Sequence, residues 1–158
     1  MPDHPLTFPP TPAVTNHVGL LLHSHIRLTG QELLPMTGTP IELAGRLFNA
    51  PFVVLSHGKQ ADPVLSYGNR AALTLWEMSW EEFTSTPSRL TAEAMDQAER
   101  ARMLAEAAKQ GWIKGYHGVR RSKTGKRFHF EDAILWNLVD AQGQYLGQAA
   151  MFKRWGYL

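Results

Sequence analysis

Apolar and polar positions alternate most regularly between Trp112 and Leu138. Two strand-like runs, Trp112 to Arg121 and Arg127 to Leu138, flank Ser122-Lys-Thr-Gly-Lys126, a polar glycine-containing linker of the kind that closes a hairpin. Successive side chains of a strand point to opposite faces. Phe128, Phe130, Asp132, Ile134, Trp136 and Leu138 are therefore expected on one face, with Arg127, His129, Glu131, Ala133, Leu135 and Asn137 on a wetter one. All but Asp132 of the first set are large and apolar, so that face needs a cover. A shared pocket requires Phe128, Phe130, Ile134 and Trp136 to stay on the same side of a sheet.

The rest of the chain supplies candidate covers. A helix is predicted after a cap at Thr15 or Asn16, with Val18, Leu21, Leu22, His25, Ile26 and Leu28 at helical spacing and Gly30 as its stop. A second runs from Pro40 to Asn49, capped by Thr39, with Leu43, Leu47 and Phe48 as its stripe. Pro51 to Ser56 is short, β-branched and aromatic and reads as a strand. His57 to Pro63 is a turn and Val64 to Tyr67 a second strand, followed by a helix that Asn69 caps. Ser79-Trp-Glu-Glu82 matches a capping box, and Thr84 to Arg89 reads as a loop. The longest helix is predicted over Thr91 to Gln110. Its stripe of Ala94, Ala98, Ala101, Leu104, Ala105 and Ala108 is expected to lie close on the sheet, and Gly111 ends it. Gln144 to Lys153 is a last strand. Two strands, a helical middle and three meandering strands give an α+β fold: a five-stranded antiparallel sheet with helices on one face and an N-terminal helical extension. The expected division is a proline-rich disordered arm over 1–14, a helical extension over 15–49 and a core over 50–155.

Composition narrows the chemistry. A chain of 158 residues suits one domain with an accessory segment and buries roughly 70% of its extended surface. The absence of cysteine removes disulfides, thiolate metal sites, cysteine nucleophiles and any thiol-linked flavin or bilin, and it fits a cytoplasmic setting. No signal peptide is visible at the start, and no apolar run approaches the roughly 20 residues that span a bilayer, so no membrane partner is expected. A net charge of +2 selects no particular partner.

The order of elements resembles a PAS domain, and Val64 to Phe83 is similar to the PAS succession of strand, Asn, apolar helix and Glu-Glu turn. The finer resemblance is to the MEKHLA family, a PAS-like domain found as small bacterial proteins and at the end of certain plant homeodomain-zipper factors. It is carried by Ala50 to Gly58, Asn69 to Leu73, Pro87 to Leu90, Gly118 to Arg120, Thr124 to Phe128, Trp136 to Leu138 and Gly147 to Ala150, within roughly 15–155. The resemblance implies a sensory or interaction role and supplies no agreed ligand and no catalytic residues, so a non-enzymatic module is the leading expectation.

Candidate chemistry gathers on the hairpin. Trp112, Tyr116, Phe128, Phe130, Ile134 and Trp136 form either a plain core or the lining of a pocket for a small apolar or aromatic ligand. The family architecture implies that such a lining also draws on Phe52, Val54, Trp76 and Leu104. Asp132, if turned inward, becomes a desolvated ligand anchor or the base of a small isomerase- or hydratase-type enzyme, with Tyr116 or His129 polarising the substrate. A β-bulge, or an ion pair with Arg120 or Arg121, would instead return it to water. His23 and His25 stand about 200° apart around a helix and cannot share an ion. His117, His129 and Glu131 form at most a weak metal set, no metal site is assigned, and a haem iron would need only one of the histidines. Lys114, Arg120, Arg121, Lys123, Lys126 and Arg127 offer an anion or nucleic-acid contact, against which stands the inward turn of the neighbouring aromatics. The partners expected are a small ligand or a protein. The first helix either covers the sheet's other face or pairs two copies as a homodimer.

Overall fold

The computed structural model describes residues 11–158, apart from the side chains of Ala94 and Met95. The expected arm over 1–14 lies outside this range up to Pro10. From Pro12 the chain is already helical: α1 spans Pro12–Thr29, and its cap is Thr11 rather than Thr15 or Asn16. The Thr11 hydroxyl accepts from the Val14 amide at 3.2 Å, and proline fits the first helical position because its missing N–H would go unpaired there. Helix α2, Pro40–Phe48, is closed by a capping box between Thr39 and Glu42. Strands β1 (Val53–His57) and β2 (Leu65–Gly68) follow, then α3 (Arg70–Trp76) and α4 (Trp80–Phe83). The expected loop ends in a short 3-10 turn over Ser88–Thr91, which delays α5 to Ala94–Gln110. The hairpin is β3 (Trp112–Arg121) and β4 (Arg127–Val139), and the chain closes with β5 (Tyr145–Phe152) and β6 (Arg154–Tyr157).

The antiparallel sheet runs β2-β1-β5-β4-β3, and β6 continues the line of β5 along the first half of β4. Asn69 ties the two halves of the chain together. Fully buried, it accepts from the Val54 and Ala72 amides, each at 3.1 Å, and donates to the Leu47 and Phe52 carbonyls at 3.2 and 2.8 Å. Helices α3 to α5 lie over the sheet's inner face, where Trp76, Phe83, Phe128, Phe130 and Phe152 pack together. Helices α1 and α2 cover the outer face with Leu21, Leu22 and Leu47 against Val54, Trp136 and Leu138, and Phe52, just before β1, packs at the edge of the same cluster. The Trp136 indole donates to the Leu21 carbonyl at 3.1 Å, and Ser24 bridges both backbone groups of Val139. Of its two expected roles, α1 thus performs the first, covering the sheet's far side.

Two expectations about faces fail. The even positions of β4 do not share a face. Between the pairs Gly118–Phe130 and Tyr116–Ala133, β4 carries one residue more than β3, and Asp132 takes φ 56°. This bulge reverses the alternation, so Phe128 and Phe130 point inward with Ala133 and Leu135 while Ile134, Trp136 and Leu138 point outward. The alanine stripe of α5 also faces the wrong way: Ala98, Ala101, Ala105 and Ala108 are exposed, and the inward face is Arg100, Met103, Leu104 and Ala107.

Candidate functional site

A cavity of about 50 Å³ lies between the sheet's inner face, the 3-10 turn and α5. Leu55, Leu65, Leu104, Phe130, Leu135 and Phe152 give it apolar walls. His57, Trp76, Ser88, Arg100, Tyr116, Arg120 and Gln148 give it polar ones. Each polar side chain is placed by a rigid element. His57 ends β1, Gln148 lies in β5 and Tyr116 and Arg120 in β3, while Arg100 comes down from α5.

The cationic groups are unusual. Arg100 and Arg120 are only 8% and 7% exposed, and neither has an ion-pair partner among the described residues. Arg120 donates to the Tyr116 hydroxyl at 2.6 Å and to the Val119 carbonyl at 2.9 Å, and its guanidinium lies 5.0 Å above the Phe130 ring. Arg100 donates to the Ser88 hydroxyl. Burial, and then repulsion from Arg120, lower the Arg100 pKa to about 10. His57 donates from Nδ1 to the Gly58 carbonyl at 2.9 Å, and burial, with a smaller push from Arg100, holds its pKa below the usual value. Its Nε2 and the Trp76 indole N–H are buried without a partner among the described residues. Gln148 is fixed by donation to the Leu104 carbonyl at 2.9 Å and the Asn137 amide oxygen at 3.3 Å.

Of the residues expected to line a pocket, the structure brings Trp76, Leu104, Tyr116 and Phe130 to this cavity. Phe128 packs edge-on against Trp76, with ring centroids 5.2 Å apart. Phe52, Val54, Trp112, Ile134 and Trp136 belong to the outer cluster beneath α1. The Asp132 carboxylate is turned to solvent, 67% exposed, and bonds Arg154 rather than Arg120 or Arg121. An enzyme using Asp132 as an interior base therefore has no structural basis. The arginines were hidden in the sequence because arginine is seldom buried. The one available signal was that Arg100 lies three and four positions before Met103 and Leu104, at the spacing of a shared helix face.

The basic hairpin is largely neutralised by the helical layer. Lys123 pairs with Glu82, Lys126 with Glu77 at 3.6 Å and Arg127 with Glu93 at 2.6 Å, while Arg120 turns inward. His129 pairs in register with Val119, not with His117, and both histidines are exposed. Among the described residues no three metal-ligating side chains converge, and no helix is long and apolar enough to cross a membrane.

A sequence profile of the MEKHLA domain matches residues 15–157. The chain belongs to the MEKHLA domain family. No curated protein matches it. This MEKHLA domain superposes on the PAS domain of a protein from Colwellia psychrerythraea with TM-score 0.61 and 16% identity, covering 70% of this chain and 91% of that one. It is also similar to the PAS domain of a two-component sensor histidine kinase, with TM-score 0.54 and 20% identity over 71% of this chain and 89% of the other. An RNA-binding light-oxygen-voltage receptor gives TM-score 0.61 and 22% identity, covering 76% of this chain and 33% of that receptor. These superpositions, all below 25% identity, show a shared PAS fold.

The segments that carry the MEKHLA resemblance meet at the cavity: His57, Ser88, Arg120 and Gln148 come from four of them. A light-oxygen-voltage domain studied with a flavin analogue is a further structural neighbour, with TM-score 0.58 and 14% identity over 74% of this chain and 84% of that one. The MEKHLA domain's residues do not fit a flavin. It has no cysteine to form an adduct, and a cavity of about 50 Å³ is well below the roughly 300 Å³ at which pockets for drug-sized molecules begin.

Proposed function

We propose that this MEKHLA domain is a sensory or interaction module that reads a small molecule held between its sheet and α5. One observation carries the proposal: Tyr116 and Arg120 of β3, Trp76 of α3 and Arg100 of α5, all buried, line a single cavity, and the Trp76 indole N–H has no partner among the described residues. Apolar walls with a few convergent polar groups are the usual make-up of a ligand site. The PAS fold of the chain and the convergence of family segments on the cavity support the same assignment. An NMR screen of small neutral and charged compounds against the full chain tests it. Binding is expected to move the Trp76 indole signal and the backbone signals of His57 and Gln148. Shifts confined to exposed surface residues would overturn it.

A further inference from the structure

The cavity's polar wall is one-sided in charge. Its two guanidiniums are buried, they are close enough to repel each other, and no acid among the described residues pairs with either. Asp62, the acid whose field reaches Arg100, is exposed and held by Arg89 at 3.2 Å. Asp96, one helical turn before Arg100, makes no ion pair with it. Burying a charge is tolerated when it is paired, and leaving two like charges together without a counter-ion is expensive. Ring stacking on Phe130 and Tyr116 offsets only part of that cost for Arg120. The unpartnered Trp76 N–H is one more donor in want of an acceptor.

We infer that the ligand is a small carboxylate anion, held between Arg100 and Arg120, with its short apolar body against Leu104, Phe130 and Phe152. The inference rests on the cavity being a ligand site and specifies what that site takes. The planar guanidinium fork matches a carboxylate with two parallel hydrogen bonds. The apolar walls favour an anion with a hydrocarbon end over an inorganic one. A volume of about 50 Å³ limits the acid to a few heavy atoms, given that roughly 150 Å³ suffices for benzene.

The test follows the Trp76 indole signal of the full chain at constant ionic strength, during separate titrations with acetate, propionate, acetamide, inorganic phosphate and chloride. Acetate and propionate are expected to shift it saturably while acetamide, the neutral isostere, leaves it in place. Arg100→Gln and Arg120→Gln are each expected to weaken propionate binding at least tenfold. Should either variant fail to fold, the contrast between acetate and acetamide on the unaltered chain still decides. Equal shifts from acetamide would overturn the anion and leave the ligand site standing. Equal shifts from phosphate or chloride would overturn the carboxylate class. No shift from these probes, with no cavity response in the wider screen, would overturn both proposals.

Discussion

Gly147 lies so close to His57 that a Cβ added to it would meet the His57 carbonyl oxygen at 2.1 Å. Its φ of 142° adds a conformation that side chains rarely adopt. No rotamer relieves a clash with backbone, so Gly147→Ala must push β1 from β5 where His57 and Gln148 enter the cavity. A loss of about 3 kcal/mol or more is expected. Urea denaturation measures it, and a variant as stable as the parent would show that the two strands are not so closely apposed.

Asn69→Ala leaves the Val54 and Ala72 amides buried without their acceptor. An unsatisfied buried group costs about 1–3 kcal/mol, so a fall of about 3 kcal/mol in unfolding free energy is expected by the same method. Asn69→Asp should be no better. It keeps the acceptors but turns a second oxygen toward the Leu47 and Phe52 carbonyls.

Acid should destabilise the fold in two stages. His17 is half-buried, with Nε2 2.9 Å from the Ser56 hydroxyl, and the loss of water around it lowers its pKa from 6.5 to about 4. Hydrogen bonds from Ser122 and Thr124 lower Glu77 from 4.5 to about 2. Both pKa values lie below those of the unfolded chain, so each contribution is complete above the unfolded value and disappears as pH falls through the folded one. Melting temperature should drop between pH 6.5 and 4 through His17, with His25 and His57 adding to the same stage, and between 4.5 and 2 through Glu77. Glu77→Gln should shrink the lower stage, to which Glu42, Glu82 and Glu99 also contribute, and leave the upper one, and an unchanged lower stage would refute the assignment.

Deleting Asp132 and mutating it should differ sharply. Asp132→Gly relieves a positive φ and loses one exposed ion pair, two effects of about 1 kcal/mol or less that oppose each other. Removing the residue turns Ala133, Leu135 and Trp136 to the wrong faces. Circular dichroism melts should show near-parental stability for the first and no cooperative transition for the second.

Trp136→Phe removes the bond to the Leu21 carbonyl and the edge contact with the His25 ring, whose centroid lies 5.1 Å away. Hydrogen exchange should speed up in α1 and stay unchanged in α5. Equal acceleration in both helices would mean that Trp136 supports the whole core.

The hairpin bounds, the Thr39, Asn69 and Ser79 caps and the succession of helices and strands were legible because each rests on local chemistry, whereas the spatial order of the strands and the sixth strand β6 depend on distant pairings. Two faces were not. Beyond Asp132 the residues keep alternating, and because the sheet is covered on both sides a phase reversal leaves no polar contrast to reveal it. The clue was the Glu131-Asp132 pair inside an apolar run, since Asp tolerates positive φ better than most residues. In α5 the small residues suggested close packing, whereas the side chains that reach the sheet are, Ala107 apart, long ones. Arg100 among them looks in sequence like any solvated cation.

Leu135 borders the cavity and Trp136 holds α1, and the two are joined by one peptide bond. A signal passing from the guarded interior to the chain's outermost helix would therefore need no relay of side chains. The sheet itself is the membrane of the drum, struck on one side and heard on the other.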